Sequence, residues 1–250
     1  MRTIAITSVL AISATTVFAG DTQQLDFDDF DRVEASAGIL VTIETGKDFH
    51  VEAEAIRGKL RRLEISQSGN TLDIDRKTAW GLFGLGRRDQ FEVTISLPEL
   101  TAAAASSGST VEINGLVWDA LSIEASSGAH LRFYGQLNGD LNAEASSGAT
   151  LSATGITANT VQAASSSGST LSLSGACVNI DAKASSGASL SAETLQCTGG
   201  DALSTGGASL SVFTDREIKA RSTGGASLAV FGSPPVADTS SSGGASIFMK

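Results

Sequence analysis

Two carboxylates stand where paired acid–base chemistry could be built. Glu124 and Glu144 each lie four residues before a glycine (Gly128 and Gly148) of a recurrent Ser-Ser-Gly phrase, so a fold that stacks the phrases also stacks the acids. A carboxylate pair held about 5–9 Å apart can run glycoside hydrolysis, one group as acid and the other as nucleophile or base. The next two phrases place Ala164 and Lys183 at the same point. The acidic column therefore stops after a single pair, which is the pattern of a solvated face. Serine is abundant, but a catalytic serine needs a base within hydrogen-bond reach and a third group to orient that base. Neither His50 nor His130 recurs from repeat to repeat or forms an obvious acid–histidine pair that could serve a serine, and the serines gather at turns, where hydroxyls bond to backbone. No catalytic residue is assigned on this reading.

Binding chemistry has better candidates. Thr150 and Ser152, Thr170 and Ser172, Ser189 and Ser191, and Ser209 and Ser211 fall two and four residues after successive phrase glycines. By strand alternation they point outward together, as a two-column array of hydroxyls suited to contact with carbohydrate, or more remotely with ice. His130 and Arg132 interrupt the array at one end, and Ala229 and Phe248 at the other. A second candidate is the run Trp80-Gly81-Leu82-Phe83-Gly84-Leu85-Gly86, followed by Arg87 and Arg88. Glycines among large apolar side chains make either a contact loop for a partner or a cover over the end of the fold, with Trp80, Leu82, Phe83 and Leu85 as its contacts. Cys177 and Cys197 each precede a phrase glycine by ten residues, so they occupy equivalent places on adjacent repeats. Neighbouring strands lie about 4.8 Å apart, within the span of a disulfide, and an oxidising compartment would favour the bond. No histidine completes a metal site with them, Gly200-Asp201 falls short of a calcium repeat, and no metal or cofactor is expected.

These residues are positioned by one repeated element. The phrase small-Gly-small is read eight times, with glycines 108, 128, 148, 168, 187, 207, 225 and 244, at steps of 18 to 20 residues. A period of this size marks a solenoid in which each repeat is one rung. In the rung 121–140, Leu121, Ile123 and Ala125 alternate with Ser122 and Glu124 before the turn, and Ala129, Leu131 and Phe133 alternate with His130 and Arg132 after it. Stacked, the first members of each set would form continuous inward ladders. The expected fold is all-β: a right-handed parallel β-helix of ~20-residue rungs, since crossovers between parallel strands are right-handed. A β-sandwich would not explain equivalent residues at this period.

The regular rungs are expected over 101–250, while residues 25–100 are more charged and predict strands at 39–43, 49–53, 63–65, 72–74 and 91–95, with a hairpin turn at Ser68-Gly69-Asn70. Phe27, Phe30 and Val33 are expected to cover the first open edge of the helix. Pro234-Pro235 breaks the pattern at a corner, and the chain runs out at Ile247-Phe248-Met249-Lys250 in mid-rung, leaving an edge through which copies could associate.

Arg2, the apolar stretch 4–17 and the small residues around Ala19 make a secretory leader, cleaved after Ala19. That leaves 20–250 as a single β-helix domain, exported to the periplasm or the cell surface, with no second apolar run long enough to span a membrane. The full chain carries 17 basic and 27 acidic residues, a net charge of −10. Such a balance excludes nucleic acid as a partner and disfavours docking to anionic lipid.

The motifs also carry a family resemblance. Phe30-x-x-Val33, the strand Gly38-x-x-Val41-x-Ile43, the sequence Leu97-Pro98-Glu99-Leu100 and the repeated Ser-Gly-Ala/Ser turns resemble the putative auto-transporter adhesin, head GIN domain family (DUF2807), over roughly 27–248. The resemblance implies an exported β-helical protein and carries no catalytic residue over. A C-terminal membrane barrel of alternating strands, which an autotransporter needs, does not follow in this sequence. The expected role is non-catalytic: adhesin-like binding or scaffolding of carbohydrate or an envelope protein through flat β-faces. A polysaccharide-acting β-helical enzyme and a self-assembling structural protein are the alternatives.

Overall fold

The computed structural model describes residues 21–77 and 89–250. Each regular rung has the same plan. A strand approaches the tight turn, a second strand leaves it, and a bend near a further glycine returns the chain to the next rung. The approaching strands stack as one parallel sheet and the leaving strands as another, with the inward side chains of both buried between them. We call these the entry sheet and the exit sheet.

The turn explains the phrase. In Ser126-Ser127-Gly128-Ala129 the two central residues have φ of 51° and 71°, and the Ala129 N–H donates to the Ser126 carbonyl at 3.0 Å. Two consecutive positive φ values are the signature of a type I′ turn, in which glycine is at ease and serine is tolerated. The turns also bond to one another along the axis, with Gly128 N–H donating to the Ser147 carbonyl and Gly148 N–H to the Ser167 carbonyl, both at 3.1 Å. At the inner corners, buried serines take the place of alanine by donating to backbone, as Ser109 does to the Ala35 carbonyl at 2.9 Å and Ser169 to the Ala145 carbonyl at 2.8 Å.

A second glycine column shapes the opposite bend. Gly135 pairs with Gly115 in register. A Cβ at Gly135 would run into the Gly115 carbonyl, at Gly155 into the Gly135 carbonyl and at Gly175 into the Ile156 carbonyl. From Thr150 onward the bend is absorbed into the long strands Thr150–Ser165, Thr170–Ala184, Ser189–Thr205 and Ser209–Thr223, which cross both sheets.

The interior is a set of apolar ladders. One runs Val93, Val41, Val111, Leu131, Leu151, Leu171, Leu190, Leu210, Leu228, Ile247, each paired in register with the next. No single rung could bury such a face; stacking does it for all of them.

The charged N-terminal region contains the predicted strands: Leu40–Thr45, His50–Arg57, Leu63–Ser68, Thr71–Arg76 and Gln90–Leu97, with Ser68 and Thr71 paired across the Gly69 turn. Its organisation differs from a cap laid on a ladder that starts at 101. Ser36-Ala37-Gly38 has φ of 58° and 73° at its last two residues, the same turn as the later phrases. The rung it closes, with strands Arg32–Ala35 and Leu40–Thr45, pairs directly with Ala102–Ala105 and Thr110–Val117. The intervening segment doubles back to lay Thr71–Arg76 and Gln90–Leu97 on the other side of that rung. Antiparallel strands Leu63–Ser68, His50–Arg57 and Asp21–Leu25 then close the edge. The edge cover assigned to Phe27, Phe30 and Val33 is therefore corrected. Val33 and Phe30 are buried core residues, and the antiparallel strands do the covering.

Candidate functional site

The exit sheet carries the hydroxyl array. Thr150, Thr170, Ser189 and Ser209 pair in one continuous register, and Ser152, Ser172, Ser191 and Ser211 in the parallel one two residues on. The inward neighbours Leu151, Leu171, Leu190 and Leu210 are buried, which fixes the hydroxyl residues on the outer face. Rung stacking and strand rise make this a grid of about 4.8 Å by about 6.6 Å. Ser227 and Ser246 continue the first column, while Ala229 and Phe248 end the second. At the other border Arg132 pairs with Glu112 at 3.1 Å beside His130. Among the described residues none of the eight grid hydroxyls bonds to another protein group. The contrast is one column further on, where Thr154 and Thr194 donate to the Phe133 and Leu173 carbonyls. The grid is thus a set of free donors and acceptors on the outer face of the exit sheet.

Glu124 and Glu144 are in register on the outside of the entry sheet, and both are exposed. Cys177 and Cys197 pair in register, 4.4 Å apart at Cα, and are joined as a disulfide. The run holding Trp80, Leu82, Phe83 and Leu85 lies outside the described residues, which resume on either side at Lys77 and Asp89. Lys77 N–H donates to the Arg62 carbonyl at 2.8 Å, and the Arg62 guanidinium donates to the Asp89 carboxylate at 2.6 Å.

The structure adds a feature of the entry sheet absent from the sequence reading. Strand Ala102–Ala105 puts alanine at both outward positions, where the neighbouring rung has Ser122 and Glu124. Two hollows flank this strand. One, of about 440 Å³, is ringed by Glu34, Asp73 and Glu124. The other, of about 710 Å³, lies toward the bends and is lined by Arg32, Asp119, Asn142 and Gln162 among others. The signal was the alanine run itself, but its meaning depends on Arg32, which reaches the site through a rung seventy residues away in the chain.

The chain matches the family described as "Putative auto-transporter adhesin, head GIN domain" over residues 29–234. No curated protein matches it by sequence. Several solved structures share its fold, among them three from Parabacteroides and Bacteroides species. A protein from Parabacteroides merdae ATCC 43184 described as a putative adhesin has a TM-score of 0.81 at 16% identity, covering 93% of this chain and 97% of that one. One from Parabacteroides distasonis ATCC 8503, described as a putative lipid binding protein, has a TM-score of 0.80 at 15% identity, with the same coverage. An adhesin-described protein from Bacteroides fragilis NCTC 9343 has a TM-score of 0.61 at 15% identity, covering 94% and 98%. At these identities the likeness establishes the fold. No helix among the described residues is long and apolar enough to cross a membrane.

Proposed function

The chain belongs to the DUF2807 family, and from that premise we propose that it is exported and acts at the cell envelope or surface as a non-catalytic, adhesin-like binding protein. Its binding face is the hydroxyl grid of the exit sheet, and its partner is a carbohydrate-bearing surface. The observation that carries this reading is the register: four rungs present eight uncommitted hydroxyls as a flat lattice. A flat, regular surface of donors and acceptors suits an extended polyhydroxylated partner, whose own hydroxyls replace the water removed on contact. The family description and the adhesin-described neighbours support the same class of role. The export leader at 1–19 places the chain where a disulfide such as Cys177–Cys197 persists.

A glycan array probed with residues 20–250, beside the variant Thr170→Lys/Ser191→Lys and a variant lacking residues 80–86, tests the reading. Binding lost in the lysine variant and kept in the deletion supports the grid. Binding lost only in the deletion moves the contact to Trp80 and its neighbours. A second reading has its own observation: in the outermost rung, Val236, Phe248 and Met249 are exposed, and Val236–Ser242 and Ser246–Met249 pair on one side only. Self-association through that rung predicts a size in solution that grows with concentration.

A further inference from the structure

We infer that the groove beside the alanine strand, on the sheet opposite the grid, is a separate site for a neutral oligosaccharide. Its lining takes in Arg32, Ser122, Asn142 and Gln162 of the outward row Arg32, Ala102, Ser122, Asn142, Gln162, in which each residue is paired with the next. Ala102 and Ser122 are short, so the row dips between Arg32 and the two amides. The side wall is built from two stacked bends, where Gly139 packs so closely under the Asp119 carbonyl that no Cβ would fit. The resulting space, about 710 Å³, is of ligand size.

The lining has the chemistry of hydroxyl recognition. Asp140 is already oriented, its carboxylate accepting the Thr160 N–H at 2.9 Å. Asn142 Nδ2 leans on Ser122 Oγ at 3.3 Å, which leaves its carbonyl oxygen to accept. Among the described residues Asp119 and Glu99 make no hydrogen bond or ion pair, although both face the groove. Acceptors of this kind take up sugar hydroxyl protons, while Arg32 and the Gln162 amide donate to sugar oxygens. Trp118 directly precedes the lining residue Asp119 in the chain and is 68% exposed. An exposed indole one residue along the chain from a polar groove offers a platform for the C–H face of a pyranose. The charge fixes the class. Three carboxylates, Glu99, Asp119 and Asp140, against the single Arg32 repel uronate and phosphate polymers. This inference rests on the carbohydrate reading above but uses different residues on the other sheet.

The chain holds two tryptophans, Trp80 and Trp118. In a Trp80→Phe protein the single remaining indole is therefore Trp118, next to the groove residue Asp119. The titrants are the neutral hexasaccharides of the cello, chito and malto series, with hexagalacturonate as the anionic counterpart. At least one neutral hexasaccharide should shift the emission saturably. Asn142→Ala/Gln162→Ala should weaken that binding about tenfold, and Thr170→Lys/Ser191→Lys should leave it within about twofold, since it lies on the other sheet. Calorimetry with Trp118→Ala provides a reading independent of fluorescence. No saturable shift with any neutral hexasaccharide, stronger binding of hexagalacturonate, or an unweakened groove variant would overturn the inference. Array binding that disappears in the lysine variant while the groove titration stays silent would leave the grid standing and remove the groove.

Discussion

Leu190 sits within the apolar ladder that runs from Val93 to Ile247, 1% exposed, between Leu171 and Leu210 on the adjoining rungs. Replacing it by alanine removes buried methyl groups and leaves a cavity that two rigid neighbouring strands cannot close. The expected cost is about 3 kcal/mol. In a chain of this size that lowers a single cooperative melting temperature by about 6–12 °C. A solenoid also predicts where the loss falls, because each rung contacts only its neighbours. Beyond Ser189–Thr205 the outer side holds only Ser209–Thr223, the pair Ser227–Phe231 and Val236–Ser242, and Ser246–Met249, whereas the inner side continues to the antiparallel cap. Hydrogen exchange should therefore rise in residues 189–249 before it rises in 102–145. Leu190→Asp should go further and release those outer rungs, since its charge would be buried without a partner. Ser189→Asp, one residue away on the exposed face, is the control and should stay within about 0.5 kcal/mol. An unchanged melting temperature for Leu190→Ala, or exchange that rises uniformly, would refute both the register and the one-dimensional transmission of stability.

Three further outcomes follow from the same geometry. Gly135→Ala should cost about 3 kcal/mol by forcing a Cβ against the Gly115 backbone, while Gly128→Ala, where the Cβ meets open space at φ +71°, should cost only about 1 kcal/mol; denaturant melts of the two rank them. Thr214→Val should raise stability by about 1 kcal/mol, because the Thr214 hydroxyl is fully buried with no hydrogen-bond partner among the described residues. Cys177→Ser/Cys197→Ser should lower stability by about 3 kcal/mol through the reopened 20-residue span, and the unreduced wild type should yield a Cys177–Cys197 cross-linked peptide by mass spectrometry.

Much of the rung was readable from spacing alone, because a solenoid turns chain period into spatial register. Leu171 and Leu190 meet, as do Cys177 and Cys197, for the reason that they hold equal places in adjacent repeats. The first rung was hidden by the same logic. Ser36-Ala37-Gly38 forms the regular turn, but seventy residues separate Gly38 from Gly108, so its period is lost in sequence while its pairing with 102–117 is kept in space. The glycines at 115, 135, 155 and 175 recur at steps of twenty, yet nothing in their spacing tells a bend from a turn; only the neighbouring carbonyl against each missing Cβ does. The groove was least legible, since its lining comes from residues such as 32, 119 and 142 that only the stacking brings together.

The central claim is that the free hydroxyl grid is a binding surface. Hydroxyl-radical footprinting of residues 20–250, with and without the glycan captured from the array, tests it most directly. The account predicts protection at Thr150, Ser152, Thr170, Ser172, Ser189, Ser191, Ser209 and Ser211 together, with the buried ladder unchanged. Protection confined to 80–86, or a grid equally reactive in the bound and free protein, would contradict it.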